Sequence, residues 1–260
     1  GDKEPIEQII ESRVNKKYLP EIELNNNIIP TLDIKSAVEF SEIVYFIVPS
    51  GHIRRIAEQA KEYLKENAIL VDVSKGLDPE TKEIIPEVLK QVTDGKYPVV
   101  GISGPGIAKQ IARGGFTAMD IAGDEKSLLH VRQSFENEYM KLIPSQDIFG
   151  VELGGSFKNV YAILLGVCDG LGYDLNLKSA LLTRALAEIT LLGKALGADE
   201  KTFYSLAGLG DLIGTALSPD SRNRRFGECI GRGMNCKDAF DHVEQVVEGV
   251  EAVKTMQMLA

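Results

Sequence analysis

"EIVYFIVPS" (Glu42–Ser50) is the stretch on which the fold turns. Six consecutive residues, Ile43 to Val48, are apolar and mostly β-branched or aromatic, and Pro49-Ser50 ends the run. A run of that length, bounded by a turn signal, predicts a strand buried on both faces. The pattern returns in "AILVDVSKG" (Ala68–Gly76), in "YPVVGISGPG" (Tyr97–Gly106) and in "FTAMDIAG" (Phe116–Gly123). Segments of helical character lie between, about 52–65, 79–92 and 125–136. Strand–helix–strand alternation predicts a parallel sheet with right-handed crossovers. In such sheets ligands gather at the carboxyl ends of the strands, where Ser50, Lys75 and Gly104 fall.

From about residue 145 no strand pattern is found. "LKSALLTRALAEITLLGKALGA" (Leu177–Ala198) is helical in period and apolar nearly all round. That predicts a helix buried in the middle of a helical domain, capped by Gly197. "KDAFDHVEQVVEGVEAVKTMQMLA" (Lys237–Ala260) reads as one or two more helices. The expected fold class is therefore α/β: a Rossmann-type parallel sheet domain over residues 1–144, then an all-helical domain over 145–260.

Composition narrows the function. The formal net charge of −9 argues against a nucleic-acid partner. The opening residues are polar and acidic, unlike a signal peptide, and no apolar stretch of membrane-spanning length is free of charge. Cys168, Cys229 and Cys236 are scattered and odd in number, which fits reduced thiols in the cytoplasm. Neither they nor His52, His130 and His242 form a metal-ligand pattern, so no metal is expected. A strand followed by G-x-G-x-x-G is also absent. "GISGPGIA" comes three strands too late for it, and "LAGLGDLIG" lies in the helical half.

Four groups could carry chemistry. Lys158 stands in "GVELGGSFKNVYAILLGVCDGLG" (Gly150–Gly172) among apolar and small residues. It shares a helix face with Ala162, Leu165 and Asp169. The spacing allows a snorkelling surface lysine as readily as a desolvated amine suited to proton transfer. Lys75 follows a buried strand, where an ordinary loop lysine would also fit. Asp211 is flanked by apolar residues, so its carboxylate needs a fixed partner. Ser221, Arg222 and Asn223 follow a Pro-Asp turn and could hold a phosphate at a helix start; a solvated basic helix start explains them equally well. Arg184 and Glu188, four apart within the helical run, read as a structural pair.

Taken in order, "RVNKKYLP", "VSKGLDPET", "SGPGIAKQIARGGFTA", "GVELGGSFKNVYAI", "AGLGDLIGT", "SRNRRFG" and "VEGV" resemble the NAD(P)-dependent glycerol-3-phosphate dehydrogenases over essentially the whole chain. The resemblance implies reversible hydride transfer between NAD(P)H and dihydroxyacetone phosphate, feeding glycerophospholipid synthesis. It implies Lys158 as the catalytic lysine. Lys75, Gly104, Asp211, Ser221, Arg222 and Asn223 would bind the substrate. Lys75, Ala108, Arg222 and Glu248 would contact the cofactor, NAD or NADP. Asp211 would orient Lys158 or bind a substrate hydroxyl. The implied partner is a small phosphorylated molecule, without nucleic acid or membrane insertion, and the implied assembly a homodimer. Two departures stand out. The family loop reads Gly-Pro-Ser or Gly-Pro-Thr where this chain has Gly104-Pro105-Gly106. The sequence also lacks the first strand with its Gly-rich turn, and the last helices, of the family pattern. The competing readings are a β-hydroxyacid or sugar-acid dehydrogenase, and a truncated paralogue that binds a phosphorylated metabolite without turnover.

Overall fold

The structure is a computed structural model, and it describes residues 3–243 and 246–259. The chain opens with helix α1 (Lys3–Ser12) and a small antiparallel hairpin, β1 (Val14–Asn15) and β2 (Leu19–Glu23). Then come α2 (Ile34–Phe40), β3 (Ile43–Phe46), α3 (Ile53–Ala60), β4 (Ile69–Asp72), α4 (Ile85–Val92) and β5 (Val99–Ser103). They are followed by α5 (Ala108–Ala112), β6 (Thr117–Ala122), α6 (Glu125–Phe135) and β7 (Met140–Ser145). The remainder is helical: α7 (Ile148–Gly170), α8 (Leu175–Ala195), α9 (Asp211–Leu217), α10 (Arg222–Gly231), α11 (Cys236–Val243) and α12 (Glu248–Leu259). The predicted stretch Lys237–Ala260 is thus two helices; its residues 244, 245 and 260 lie outside the described residues.

Strands β3 to β7 form one sheet in sequential order. The alternation of side chains gives the inner strands β4 and β5 two buried faces; β3, expected to be buried on both faces, is an edge strand in which only Phe46 is buried. Leu70 of β4 packs with Ile53, Ile85, Val88 and Leu89 beneath α3 and α4. Val71, its neighbour, packs on the other face with Ile102, Ile121, Val131 and Leu142 beneath α6. The α/β reading followed by helices holds, with one departure from an all-parallel sheet. β3, β4 and β5 are parallel, but β6 runs antiparallel to β5, pairing Gly101 with Ala122 and Ser103 with Asp120. The connection explains it. Five helical residues in α5 advance only about 7.5 Å, against the roughly 17 Å of a five-residue strand. The chain therefore turns back at the carboxyl end of β5 instead of crossing the sheet. β7, unpredicted, then runs parallel to β6.

Two helices differ from expectation. α4 begins only at Ile85, because Asp78 holds the preceding segment in a turn, accepting from Arg54 Nη2 at 2.9 Å and Thr81 Oγ1 at 2.9 Å. α8 is not the buried centre of the helical half: only Ala185, Ile189, Thr190 and Gly193 are buried in it, and Leu191 is 71% exposed. Its end is as predicted, with Gly197 at φ 100° just past the helix. Arg184 is exposed and forms no ion pair with Glu188, which accepts instead from the Tyr161 hydroxyl at 3.0 Å.

The buried centre is α7. Its apolar length would suffice to cross a membrane, but most of it is enclosed by protein. Leu153, Phe157 and Tyr161 pack against Ile189, Phe203 and Leu212. On another side α10 lies backbone to backbone against it. A Cβ at Gly166 would collide with the Arg224 carbonyl. Gly166→Ala is expected to lose about 1–3 kcal/mol through overpacking; a lower midpoint in urea, with unchanged slope, checks it.

Candidate active site

Three elements bring the charged groups together. α7 carries Lys158 toward the carboxyl ends of β4 and β5. The loop after β4 carries Lys75. Asp211 opens α9, directly after a single π-helical turn over Leu206–Gly210. Such turns are rare and re-aim the residues beside them. This one is anchored to the sheet by Asp120 of β6, whose buried carboxylate accepts from Ser205 Oγ at 2.9 Å and from the Ala207 amide at 2.7 Å.

Asp211 is 1% exposed and shared by two lysines. Its Oδ1 is ion-paired with Lys158 Nζ and accepts from Thr215 Oγ1 at 3.2 Å. Its Oδ2 accepts from Lys75 Nζ at 2.8 Å. Lys75 Nζ also donates to the Gly104 carbonyl at 2.9 Å, tying the loop after β5 to the cluster. Lys158 is itself 2% exposed. Burial lowers its pKa to about 7, against the pull of Asp211, and the neighbouring Lys75 lowers it further.

The triplet formed by Ser221, Arg222 and Asn223 starts α10. Ser221 caps the helix, its Oγ accepting from the Arg224 amide at 3.3 Å. Asn223 is buried. It donates to Asn159 Oδ1 at 2.8 Å and accepts from the Gly249 amide at 2.9 Å, so α7, α10 and α12 meet at one amide. Arg222 is exposed, with its charge felt at Glu248. Glu248 starts α12; burial raises its pKa, while Arg222, Lys158 and Lys75 pull it down. Ala108 is exposed at the start of α5, and no described contact joins it to the cluster.

Asp169, one of the residues sharing the Lys158 face, goes elsewhere. It pairs with Lys178 at 2.6 Å and Arg224 at 2.6 Å and holds α8 and α10 to α7. Asn159 and Thr215, which lock Asn223 and Asp211, stand inside the quoted motifs, but the sequence reading assigns them no role. An amide or hydroxyl at helical spacing carries no signal of its own.

Beside the cluster lies a cavity of about 230 Å³. It is walled by Pro49, Leu77, Phe157 and Val247, with Ser50, Lys75 and Glu248 as polar groups. Apolar walls with a few convergent polar groups suit the nicotinamide end of a dinucleotide.

The family comparisons cover both halves of the chain. Residues 1–129 match the model for the N-terminus of NAD-dependent glycerol-3-phosphate dehydrogenase, and residues 147–260 match that for its C-terminus. A glycerol-3-phosphate dehydrogenase (NAD(P)+) of Thermoanaerobacter sp. is 44% identical over 260 residues, spanning 100% of this chain and 78% of the relative. The Clostridium acetobutylicum protein of the same name is 40% identical, spanning 99% and 78%. Among solved structures, glycerol-3-phosphate dehydrogenase from Coxiella burnetii superposes with a TM-score of 0.94 at 30% identity, covering 100% of this chain and 79% of that one. Matched by both family models and by relatives 40–44% identical over nearly its whole length, the chain belongs to the NAD-dependent glycerol-3-phosphate dehydrogenase family.

Proposed function

We propose that this protein interconverts dihydroxyacetone phosphate and sn-glycerol 3-phosphate with NAD(P)H, in the cytoplasm, supplying the backbone of glycerophospholipids. Residues 1–144 serve the cofactor and residues 145–260 the substrate. The observation that carries this reading is the buried Lys158, paired with a carboxylate that also holds Lys75, which lines the cavity between the two halves.

The bound nicotinamide supplies or accepts the hydride. Lys75 and Glu248, which line the cavity, would hold it there. Lys158 Nζ donates a proton to the carbonyl oxygen as that oxygen gains negative charge, and ends as a free amine. In the reverse direction the free amine takes the hydroxyl proton. Its pKa of about 7 suits both roles, since neither protonation state is far from reach at neutral pH. Asp211 fixes the amine's position and keeps the ammonium form accessible despite burial. Lys75 and Lys158 against one Asp211 leave an excess positive charge, which favours an anionic substrate. Ser221, Arg222 and Asn223 take the phosphate at the start of α10, with helix-terminal amides adding donors. Asn223 spends one amide hydrogen on Asn159 and keeps the other for an anion.

Lys158→Ala is expected to lower kcat at least about 10³-fold with the fold intact. Steady-state assays in both directions, with circular dichroism as the control, check it. The pH dependence is direction-specific. Reduction of the ketone needs the ammonium, so its kcat falls about tenfold per unit above the Lys158 pKa near 7. Oxidation of the alcohol needs the free amine, so its kcat falls below that value instead. Mirror-image pH profiles are the expected result.

A further inference from the structure

Two buried carboxyl groups lie outside the chemistry just described. Asp72 ends β4 and is 0% exposed; Glu152, early in α7, is 3% exposed. Their side chains are hydrogen-bond neighbours. Asp72 Oδ1 accepts from the Ser74 amide at 2.9 Å. Asp72 Oδ2 and Glu152 Oε1 are buried without a donor, and neither side chain is in an ion pair among the described residues. Gly101 of β5 makes the room, since a Cβ there would collide with Glu152 Oε1. Two ionised carboxylates held this way would repel in a low-dielectric interior. One proton between them turns repulsion into a short, charge-assisted hydrogen bond.

We propose that Asp72 and Glu152 share one proton, and that this pair is a positioning device seating α7 on the carboxyl end of the sheet so that Lys158 meets Asp211. The positioning half rests on the reading of Lys158 above; the shared proton does not. Burial first, and then the Asp72 charge, hold Glu152 well above the usual carboxylate range. Burial holds Asp72 at about 6. The surrounding charges are few. α7 offers Lys158 further along, and the loop after β4 offers Lys75. α12 offers Glu248, which the Asp72 charge disfavours as an anion. β5 contributes only Gly101 and the uncharged Ser103, and Asp120 of β6 is occupied by Ser205 and Ala207. Among the described residues no cation forms an ion pair with either carboxyl group to replace the proton.

Both groups have folded-state pKa values above their unfolded ones. The stability they confer is complete below the unfolded values and is lost as pH rises through the folded ones. Glu152→Gln gives Asp72 a donor that never ionises. Urea midpoints of the two proteins, measured from about pH 5 to about pH 9, should therefore diverge in the variant's favour as pH rises; parallel curves would overturn the shared proton. Infrared spectra of the unmodified protein at neutral pH should show a protonated-carboxyl band that Glu152→Gln removes, and its absence from the unmodified protein would also overturn the claim. For positioning, Glu152→Ala should lower kcat about tenfold or more with KM within about threefold, and Glu152→Gln should restore kcat near pH 7. Unchanged kcat in Glu152→Ala defeats the positioning role. A chain inactive on dihydroxyacetone phosphate would defeat the functional reading and positioning together, and the infrared and unfolding results would still decide the proton.

Discussion

One carboxylate between two ammonium groups holds the functional half of this molecule in register. Asp211 receives Lys158 from α7 and Lys75 from the loop after β4, and Lys75 in turn grips the Gly104 carbonyl after β5. Asp211 thus ties the helical half to the sheet half, as Asp120 does through Ser205 and Ala207. Without Asp211, the buried Lys158 amine would face the half-buried Lys75 amine with no counter-charge, and one would have to lose its proton or move away. With it, Lys158 stays buried while keeping a pKa near neutrality.

The same constraint explains the character of α7. Most of its surface is apolar because it is the core around which α8, α9, α10 and α12 pack. Placing a lysine on such a helix costs desolvation that an apolar residue would not. The position makes physical sense if the amine is needed where it stands. The helix also carries Asn159 to the Asn223 amide and Glu152 to Asp72. Its polar positions reach every neighbour in turn: Glu152 the sheet, Tyr161 α8, Lys158 α9 and Asn159 α10.

Much of the sheet was legible in the residues. β3 to β6 announce themselves as β-branched runs closed by Pro, Gly or Ser, because strands buried on both faces need continuous apolar sequence. β7 does not: in "MKLIPS" only Met140 and Leu142 are buried, and Pro144 interrupts the run. The reversed direction of β6 was not legible either, since a strand's own residues do not record which way its partner runs; the short α5 decides it. α8 misled because its composition is apolar all round while its packing is one-sided.

The site was legible in a different way. Helical spacing pointed from Lys158 to Asp169, the nearest acid on its face, yet Asp169 serves Lys178 and Arg224. The true partner, Asp211, lies two helices later and is brought in by the π-helical turn that Asp120 anchors. Local periodicity does not encode that approach, and resemblance to a family supplied it. The Asp72–Glu152 pair escaped both routes, since an acid ending a strand and an acid near a helix start are each unremarkable alone.

The most direct measurement is the titration of the Lys158 amine itself, followed by NMR of 15Nζ-labelled lysine, with the resonance assigned by its loss in Lys158→Ala. A midpoint near pH 7 is expected, moving lower still in Asp211→Asn. A midpoint in the ordinary lysine range, about 10.4, unaffected by Asp211→Asn, would contradict the account.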